Sequence, residues 1–305
     1  RNTMRNAALP ILKIQRFSTK DGPGVRTTLF VQGCPLRCRW CHNPESQEVR
    51  PQFFFTPSLC IGCGACANVC PSSAHTFAGG RHEIDREACI RCLECCKVCP
   101  AKALEPAATA MTVPQIMEEV KKDVAFYGKK GGVTLSGGEP LFHAEGCLRI
   151  LREAKALGIG TAIETCGYFD EKRIPELTAN TDLFLWDIKD MDERRHKENT
   201  GVSNKKILQN LFSVDARGGK TILRCIMLEG VNTDFANLDA VAEVCGGLKH
   251  CRGVEIFSYH PFGESKYGAL GRTYGGTSEW IVSDEKLRRF SAYLASKGVK
   301  CRAVL

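Results

Sequence analysis

Short apolar runs alternate with amphipathic stretches over most of the chain. Residues 11–17 have the two-residue alternation of a strand, and a second apolar run follows at residues 25–32. The later part of the chain predicts helices at residues 114–127, 144–157, 204–216, 234–248 and 284–297, and strands at residues 132–135, 160–164, 182–188, 220–227 and 254–259. Strands that alternate with helices of about ten to fifteen residues indicate parallel βαβ units. The pattern therefore predicts an α/β fold, an open or partial (β/α)6 barrel whose functional site lies at the carboxyl ends of the strands.

This alternation is interrupted by a duplicated cysteine pattern. The spacing C-x2-C-x2-C-x3-C-P occurs twice, at Cys60, Cys63, Cys66 and Cys70 and again at Cys89, Cys92, Cys95 and Cys99. In bacterial ferredoxins with this spacing, the fourth cysteine of each half binds the cluster of the other half. The duplication thus predicts one 4Fe-4S cluster on Cys60, Cys63, Cys66 and Cys99 and a second on Cys89, Cys92, Cys95 and Cys70. Two zinc knuckles are the alternative, although the Cys-Pro endings and the duplication favour iron.

The position of the duplication divides the chain into three parts. Residues 1–57 are predicted to carry the first barrel strands, residues 58–105 a ferredoxin-like insert, and residues 106–305 the rest of the barrel. Because the insert is too short to bury a large core, we expect its clusters to stabilise it. Cys96 lies outside the duplicated pattern and has no predicted role.

A third group of cysteines directly follows the second predicted strand. Cys34, Cys38 and Cys41 have the spacing C-x3-C-x2-C. A 4Fe-4S cluster takes one ligand on each iron, and Cys thiolates are soft ligands that suit iron and zinc. Three cysteines therefore leave one iron open, and an open iron can bind a substrate or cofactor. The alternative is a structural zinc site that His42 or a distant residue completes.

Small and charged residues lie at the ends of several predicted strands. They are Ser136-Gly137-Gly138-Glu139, Glu164-Thr165, Asp187, Lys189 and His260. Each has a plain explanation, since Gly-Gly-Glu-Pro can be a turn, Asp187 and Lys189 can form a salt bridge, and His260 can be a loop residue. Several such residues at consecutive strand ends nevertheless indicate a site, because parallel strands bring their carboxyl ends to one edge.

Composition narrows the class of protein. The 305 residues are 43% hydrophobic and 25% charged, as in ordinary globular proteins. Eighteen cysteines, many of them in metal-type runs, indicate ligands rather than disulfides, so we expect a reducing, cytoplasmic compartment. The net charge of +8 would fall to about +3 with three clusters bound, and Lys and Arg are scattered, which argues against nucleic acid. Residues 1–10 lack the apolar core of a signal peptide, and no apolar run is long enough to span a membrane.

Together these motifs resemble the radical S-adenosylmethionine (SAM) superfamily, whose mark is the C-x3-C-x2-C loop. More narrowly, the chain resembles the activating enzymes of glycyl radical enzymes, of the pyruvate formate-lyase activase type, with a two-cluster ferredoxin-like insert. The motifs that carry this resemblance are Asp21-Gly22-Pro23-Gly24-Val25-Arg26, Gly33-Cys34, Cys41-His42-Asn43-Pro44-Glu45, Gly137-Gly138-Glu139, Asp187-Ile188-Lys189 and Tyr259-His260 with Gly263. The fold implied is a partial (β/α)6 barrel of the radical SAM type.

The resemblance also implies roles for individual residues. An open iron on the cluster of Cys34, Cys38 and Cys41 would chelate the amino and carboxylate groups of SAM. The other implied contacts are Trp40 with adenine; Gly137, Gly138 and Glu139 with the amino group; Lys189, Arg224 and His260 with the cofactor; Glu164, Thr165 and Asp187 with a monovalent cation beside the carboxylate; and Asp21 and His42 with the partner's glycine loop. Asp21 can equally be a turn residue that bonds its own backbone. At Glu164 the sequence departs from pyruvate formate-lyase activase, which has an aspartate.

The activity implied by the resemblance is the production of a glycyl radical. Three 4Fe-4S clusters would be present, and an electron from a flavodoxin or ferredoxin would reach the three-cysteine cluster. SAM would be cleaved to methionine and a 5′-deoxyadenosyl radical, which would remove hydrogen from a glycine of a cognate glycyl radical enzyme. We expect a monomer. Two alternatives stay open: a radical SAM enzyme that acts directly on a small molecule or RNA, and a ferredoxin-type electron carrier, which would leave the three-cysteine loop unexplained.

Overall fold

The computed structural model describes residues 8–305, so the expectation for residues 1–7 lies outside the described residues. The strands are β1 Leu9–Ser18, β2 Arg26–Val31, β3 Phe53–Phe55, β4 His75–Ala78, β5 Arg81–Ile84, β6 Leu104–Pro106, β7 Thr109–Met111, β8 Gly132–Gly137, β9 Gly160–Thr165, β10 Leu183–Ile188, β11 Thr221–Met227, β12 Cys251–Ser258 and β13 Cys301–Val304. The helices are α1 Ala65–Asn68, α2 Glu94–Val98, α3 Val113–Lys121, α4 Val124–Tyr127, α5 Ala144–Ala156, α6 Ile174–Asn180, α7 Glu193–Thr200, α8 Lys205–Asp215, α9 Phe235–Gly247, α10 Glu264–Ala269 and α11 Asp284–Ser296. Within the described range, no helix has the length and apolar content needed to cross a membrane.

One sheet organises residues 8–305. Nine strands lie in the order β13-β12-β11-β10-β9-β8-β2-β1-β7. Every neighbouring pair from β2 to β13 is parallel, whereas β1 and β7 are antiparallel additions at one edge. In this part of the chain β7 and β13 are the two edges of the sheet, so the barrel is open. The predicted partial (β/α)6 barrel is confirmed in β2 and β8–β12, and β13 adds a parallel strand that was not predicted.

Side chains alternate between the two faces of this sheet, as the pleat of a strand requires. In β10, Phe184 and Trp186 are buried in the core cluster shared with the helices, whereas Leu185 belongs to a separate cluster and Asp187 lines a cavity. The neighbouring strands follow the same rule. Apolar side chains of one parity therefore pack under the helices, and polar side chains of the other parity point into the open barrel.

Several helical segments differ from the prediction, and α6, α7 and α10 are among the helices that it lacks. The long helix predicted before β8 is split into α3 and α4 at Asp123, whose buried carboxylate accepts hydrogen bonds from Arg16 and Thr27. The helix α7 was not predicted because its sequence has no apolar stripe. It is defined by its ends, since the carboxylate of Asp192 accepts a backbone N–H of the first turn and Gly201 ends the helix with φ 85°.

The predicted insert, together with β3 just before its predicted start, contains two small antiparallel pairs, β3 with β6 and β4 with β5, and the short helices α1 and α2 pack together. Its buried apolar cluster consists of Phe53, Cys66, Cys95 and Leu104. Since two of these four residues are predicted cluster ligands, little apolar packing would hold this segment without metal.

Candidate metal centres and cofactor cavity

A cavity of about 420 Å³ opens at the carboxyl ends of the parallel strands. The loop that follows β2 and carries the three cysteines forms one wall, and the ends of β8–β12 form the others. The predicted site residues that line the cavity are Cys34, Cys38, Trp40, Cys41, His42, Gly137, Gly138, Glu164, Asp187, Lys189, Arg224 and His260. The fold thus brings most of the predicted set to one place, while Asp21, Glu139 and Thr165 lie outside the cavity wall.

Strand parity explains which charged side chains face this cavity. Ser136, Glu164, Asp187 and Arg224 each point inward from a different strand, from β8 to β11. The strand register places Asp187 directly opposite Arg224. Strands β10 and β11 therefore present opposite charges side by side, whereas Glu164 on β9 and Asp187 on β10 are both acidic.

Two glycines allow the cysteine loop to approach β8 closely. A Cβ atom on Gly138 would lie 2.3 Å from the carbonyl oxygen of Gly33 and 3.1 Å from the Cβ of Cys34. A Cβ atom on Gly137, which has φ +120°, would lie 2.2 Å from the backbone nitrogen of Val31. The sequence interpretation assigned these glycines to the approach of a ligand, but their contacts are first of all with the backbone that positions Cys34.

The thiols of the cysteine loop differ in their environments. Burial raises the pKa of Cys41 to about 12 and also raises the pKa of Cys38 well above its usual value. The pKa of Cys34 is lowered, chiefly by a hydrogen bond with the thiol of Cys166. Binding of a metal cluster as thiolates would therefore release protons from the buried cysteines.

Two buried ion pairs face the cavity from the strands. Lys189 Nζ donates to Asp187 Oδ2 at 2.7 Å, which is the salt bridge that the sequence offered as the plain alternative. Arg224 Nη1 donates to Glu164 Oε1 at 2.6 Å. Burial alone would lower the pKa of Lys189, but the charge of Asp187 outweighs it and the pKa of Lys189 is raised. The charge of Asp187 therefore favours the cationic form of Lys189 at the cavity wall, and a cation there suits a carboxylate ligand.

Glu139 and Thr165 lie behind the cavity wall and bind each other. The Glu139 carboxylate is buried and accepts hydrogen bonds from Thr165 Oγ1 at 2.8 Å and from the backbone N–H of Cys166 at 2.8 Å and of Leu141 at 3.1 Å. These bonds join the loop after β8 to the loop after β9. The cofactor contacts predicted for both residues stay predictions.

Asp21 and His42, which are predicted to contact a partner, have different surroundings. Asp21 Oδ2 accepts hydrogen bonds from Ser18 Oγ and Thr28 Oγ1, both at 2.7 Å, so these bonds tie its carboxylate to side chains of β1 and β2. The exposed His42 lies at the cavity rim, where its Nε2 is 2.7 Å from the carbonyl oxygen of His260. Beside it Phe262 stacks on His260 and is 74% exposed, although the sequence did not single it out.

Several further cavity residues were missed by the sequence interpretation, among them Cys166, Phe257 and Lys20. Cys166 immediately follows Glu164-Thr165 at the end of β9, and Phe257 has the inward parity of β12. Both could have been found from strand parity and strand ends. Lys20 also lines the cavity, but it lies in the turn before Asp21, where no periodicity gives its direction.

The cysteines of the insert also approach one another. Cys60, Cys63, Cys66 and Cys99, the predicted first set, all line one small cavity of about 20 Å³. In the second set, Cys70 and Cys95 are near enough for their charges to interact. Gly62 and Gly64 have φ values of +68° and +73°, and a Cβ there would meet open space, so the loop between the first cysteines can wrap around a cluster.

A histidine lies against the first set of cysteines. His82 Nδ1 is 3.5 Å from Cys60 Sγ, and His82 Nε2 is 3.7 Å from Cys66 Sγ. The ligand atoms of Cys66, His75 and His82 all lie within 4.8 Å of one another, a set that would also suit zinc. The thiols and imidazoles of this segment therefore suit either iron or zinc.

The segment around Cys89 contacts the barrel directly. Glu48, which follows the cysteine loop, forms ion pairs with Arg91 of the insert and with Arg272, the latter at 2.5 Å. Arg272 Nη1 also donates to the carbonyl oxygen of Pro44 at 3.0 Å. Cys89 lines a cavity of about 170 Å³ with Arg91, Arg272 and other residues from both sides of this contact. Hence the segment around Cys89 contacts the barrel residues that follow the cysteine loop, whereas the cavity of the first set is lined by insert residues.

Comparisons with known proteins match the barrel and the insert to known families. A model of the radical SAM superfamily matches residues 89–239, and a model of the 4Fe-4S dicluster domain matches residues 53–100. The benzylsuccinate synthase activating enzyme of Thauera aromatica is 40% identical over 303 residues, with 95% of this chain and 90% of that protein covered. The choline trimethylamine-lyase activating enzyme of Oleidesulfovibrio alaskensis is also 40% identical, with 92% and 93% covered. The crystal structure of a radical SAM methyltransferase from Sphaerobacter thermophilus has a TM-score of 0.52 at 16% identity, covering 92% of this chain and 66% of that one, which supports the fold.

Proposed function

This chain belongs to the radical SAM superfamily and, within it, to the activating enzymes of glycyl radical enzymes, and we propose that Cys34, Cys38 and Cys41 hold the cluster at which its reaction begins. A cluster held by these cysteines would supply the electron for cleavage of SAM to methionine and a 5′-deoxyadenosyl radical, which would abstract hydrogen from a glycine of the partner enzyme. The observation that carries the proposal is that the three cysteines share one cavity with Lys189 and Arg224, cations that suit the cofactor's carboxylate.

The cavity has the size and the lining expected for SAM. Its volume of about 420 Å³ lies within the range of about 300–1,000 Å³ for small-ligand cavities. We assign Lys189, Arg224 and His260 to the polar end of the cofactor, and the buried Trp40 to its adenine. Both carboxylate oxygens of Glu139 accept from Thr165 Oγ1, so the amino group of SAM would have to donate to an oxygen that already has this bond.

The protein's own part in the reaction is to hold the reacting groups together. Positioning the cofactor's 5′ carbon near the partner's glycine makes the hydrogen transfer effectively unimolecular. We assign Asp21 and His42 to the partner's glycine loop, because His42 lies at the cavity rim and the turn of Asp21 adjoins Lys20, which lines the cavity. The partner is the cognate glycyl radical enzyme, and the interface is expected to be transient.

We propose three 4Fe-4S clusters, two of them in the insert with the cysteine sets given above. The match of residues 53–100 to a 4Fe-4S dicluster domain favours iron over zinc in that segment. Counting iron and sulfide in the anaerobically reconstituted protein tests the number. We expect about twelve irons, and about four fewer in each of Cys38→Ala, Cys63→Ala and Cys92→Ala. About eight irons in the wild type, or stoichiometric zinc, would contradict the assignment.

We further propose that the insert relays electrons from a flavodoxin or ferredoxin to the cysteine loop. The contact of Arg91 and Arg272 with Glu48 supports an order in which the Cys89 cluster is the inner one and the Cys60 cluster the outer one. Formation of 5′-deoxyadenosine by Cys63→Ala and Cys92→Ala should fail with flavodoxin as reductant but persist with dithionite. Equal activity with both reductants in folded variants would show that the clusters serve structure or docking instead.

The cellular setting is proposed from the chemistry of the ligands. Three thiolate-ligated clusters need a reducing compartment, so we assign the protein to the cytoplasm. We also propose that it binds no nucleic acid, because its Lys and Arg residues are scattered, and that it acts as a monomer. Sedimentation of the reconstituted protein tests the monomer, since a stable dimer would sediment with twice the mass of the 33.6 kDa chain.

A further inference from the structure

The residues that the family resemblance assigns to a monovalent cation do not fit one in this chain. A potassium or sodium ion needs several oxygen atoms that are free to coordinate it. Thr165 Oγ1 donates to the buried Glu139 carboxylate at 2.8 Å and accepts the N–H of Gly167 at 3.0 Å. Its hydroxyl group therefore serves the interior rather than the cavity.

Both carboxylates of the set already have internal cations. Glu164 Oε1 accepts from Arg224 Nη1 at 2.6 Å, and Glu164 Oε2 accepts from Ser136 Oγ at 2.5 Å. Asp187 Oδ2 accepts from Lys189 Nζ at 2.7 Å. The positive charges of Arg224 and Lys189 already balance these two carboxylates, so no net negative charge remains in the two pairs to hold an additional cation.

Arg224 occupies the centre of this network. Its side chain is 7% exposed, and its Nε donates to Glu255 Oε2 at 3.2 Å while its Nη2 donates to the carbonyl oxygen of Lys20. The carbonyl oxygen of Lys20, another group that could bind a cation, is therefore engaged as well. The Glu164 carboxylate on β9 meets the guanidinium of Arg224 on β11 across the intervening strand β10.

We propose that the Arg224 guanidinium takes the place of the monovalent cation, so that this protein binds SAM without potassium or sodium. The inference rests on the proposed cofactor cavity and adds to it a specific electrostatic role for the Arg224–Glu164 pair. Arg224 supplies a covalently fixed positive charge next to Asp187 and faces the cavity where the cofactor's carboxylate is assigned.

The test is SAM affinity in buffers of different cations. Reconstituted protein is titrated with SAM in potassium, sodium or tetramethylammonium chloride at equal ionic strength, by calorimetry and by the change in the paramagnetic resonance spectrum of the reduced cluster. We expect the dissociation constants to agree within about twofold. Tightening of about tenfold or more in potassium or sodium would overturn the inference. Failure to bind SAM in every buffer would instead overturn the cofactor cavity itself.

Variants distinguish the proposed charge from a merely structural role. Arg224→Met should weaken SAM binding by about tenfold or more in tetramethylammonium, and potassium should partly restore it, because Glu164 becomes free to coordinate an ion. SAM binding by Glu164→Asp should also become dependent on potassium. This variant tests the same proposal if Arg224→Met does not fold. Arg302→Met is the matched control, since Arg302 also pairs with Glu255 but is 69% exposed and does not line the cavity. Wild-type affinity of Arg224→Met in tetramethylammonium would refute the proposal.

Discussion

Gly138→Ala tests whether close contact between β8 and the cysteine loop sets the geometry of the site. The new Cβ atom would lie 2.3 Å from Gly33 O, whereas ordinary contact begins near 3.4 Å, so the two segments must separate by about 1 Å. Gly33 O also accepts the backbone N–H of Glu139 at 2.8 Å, and the separation would strain that bond. Overpacking of this kind costs about 1–3 kcal/mol of stability, and a displacement of about 1 Å at a reacting centre can lower the rate about 100-fold.

The assay is the rate of 5′-deoxyadenosine formation with dithionite, together with iron content and the melting temperature. Gly160→Ala is the matched control, because its Cβ would lie 2.5 Å from the carbonyl oxygen of Gly131, at the amino end of β9 and away from the cavity. Both variants should lose similar stability, and Gly138→Ala alone should lose cofactor cleavage. The reasoning is refuted if Gly138→Ala cleaves SAM at the wild-type rate, or if both variants lose cleavage equally.

The remaining predictions concern the insert and the barrel. Glu48→Gln should slow 5′-deoxyadenosine formation about threefold or more with flavodoxin as reductant, since the ion pairs with Arg91 and Arg272 are lost. An equal loss with dithionite would contradict the idea that these ion pairs hold the insert against the barrel for electron transfer. Removal of iron by a chelator should abolish hydrogen-exchange protection in residues 58–105 while the barrel strands stay protected, and uniform loss would contradict the small-core argument. Asp123→Asn should lower the free energy of unfolding by about 1.5 kcal/mol or more at neutral pH, measured with urea on cluster-free protein. Because the hydrogen bond from Arg16 lowers the pKa of Asp123, this difference should be full above about pH 4 and shrink as pH falls towards the folded-state pKa; a difference that grows in acid would contradict it.

The parallel barrel and its strand ends could be predicted because they depend on local patterns. The strand β10 shows this, since its alternation of Phe184 and Trp186 with Asp187 already separates the core face from the cavity face. The positions of the cysteine loop and of Lys189 follow from strand ends alone. Their roles in binding the cofactor stay predictions, because a strand end gives a direction and not a ligand.

The parts that could not be predicted depend on contacts between distant segments. The sequence could not reveal that Glu139 turns towards Thr165, or that Arg224 reaches Glu164 across a strand. The ion pair of Glu48 with Arg91 joins the insert to the barrel and has no local signal. Such pairings are set by three-dimensional register, which a single sequence does not encode in any short pattern.

The central claim is that this protein installs a glycyl radical from its three-cysteine loop. The most direct measurement is the paramagnetic resonance spectrum of the glycyl radical enzyme encoded beside it, after anaerobic incubation with SAM, a reductant and the reconstituted protein. We predict a glycyl doublet in the partner with wild-type protein and none with Cys38→Ala. A doublet produced equally by Cys38→Ala, or turnover of a small molecule with no doublet in any neighbouring glycyl radical enzyme, would contradict the account.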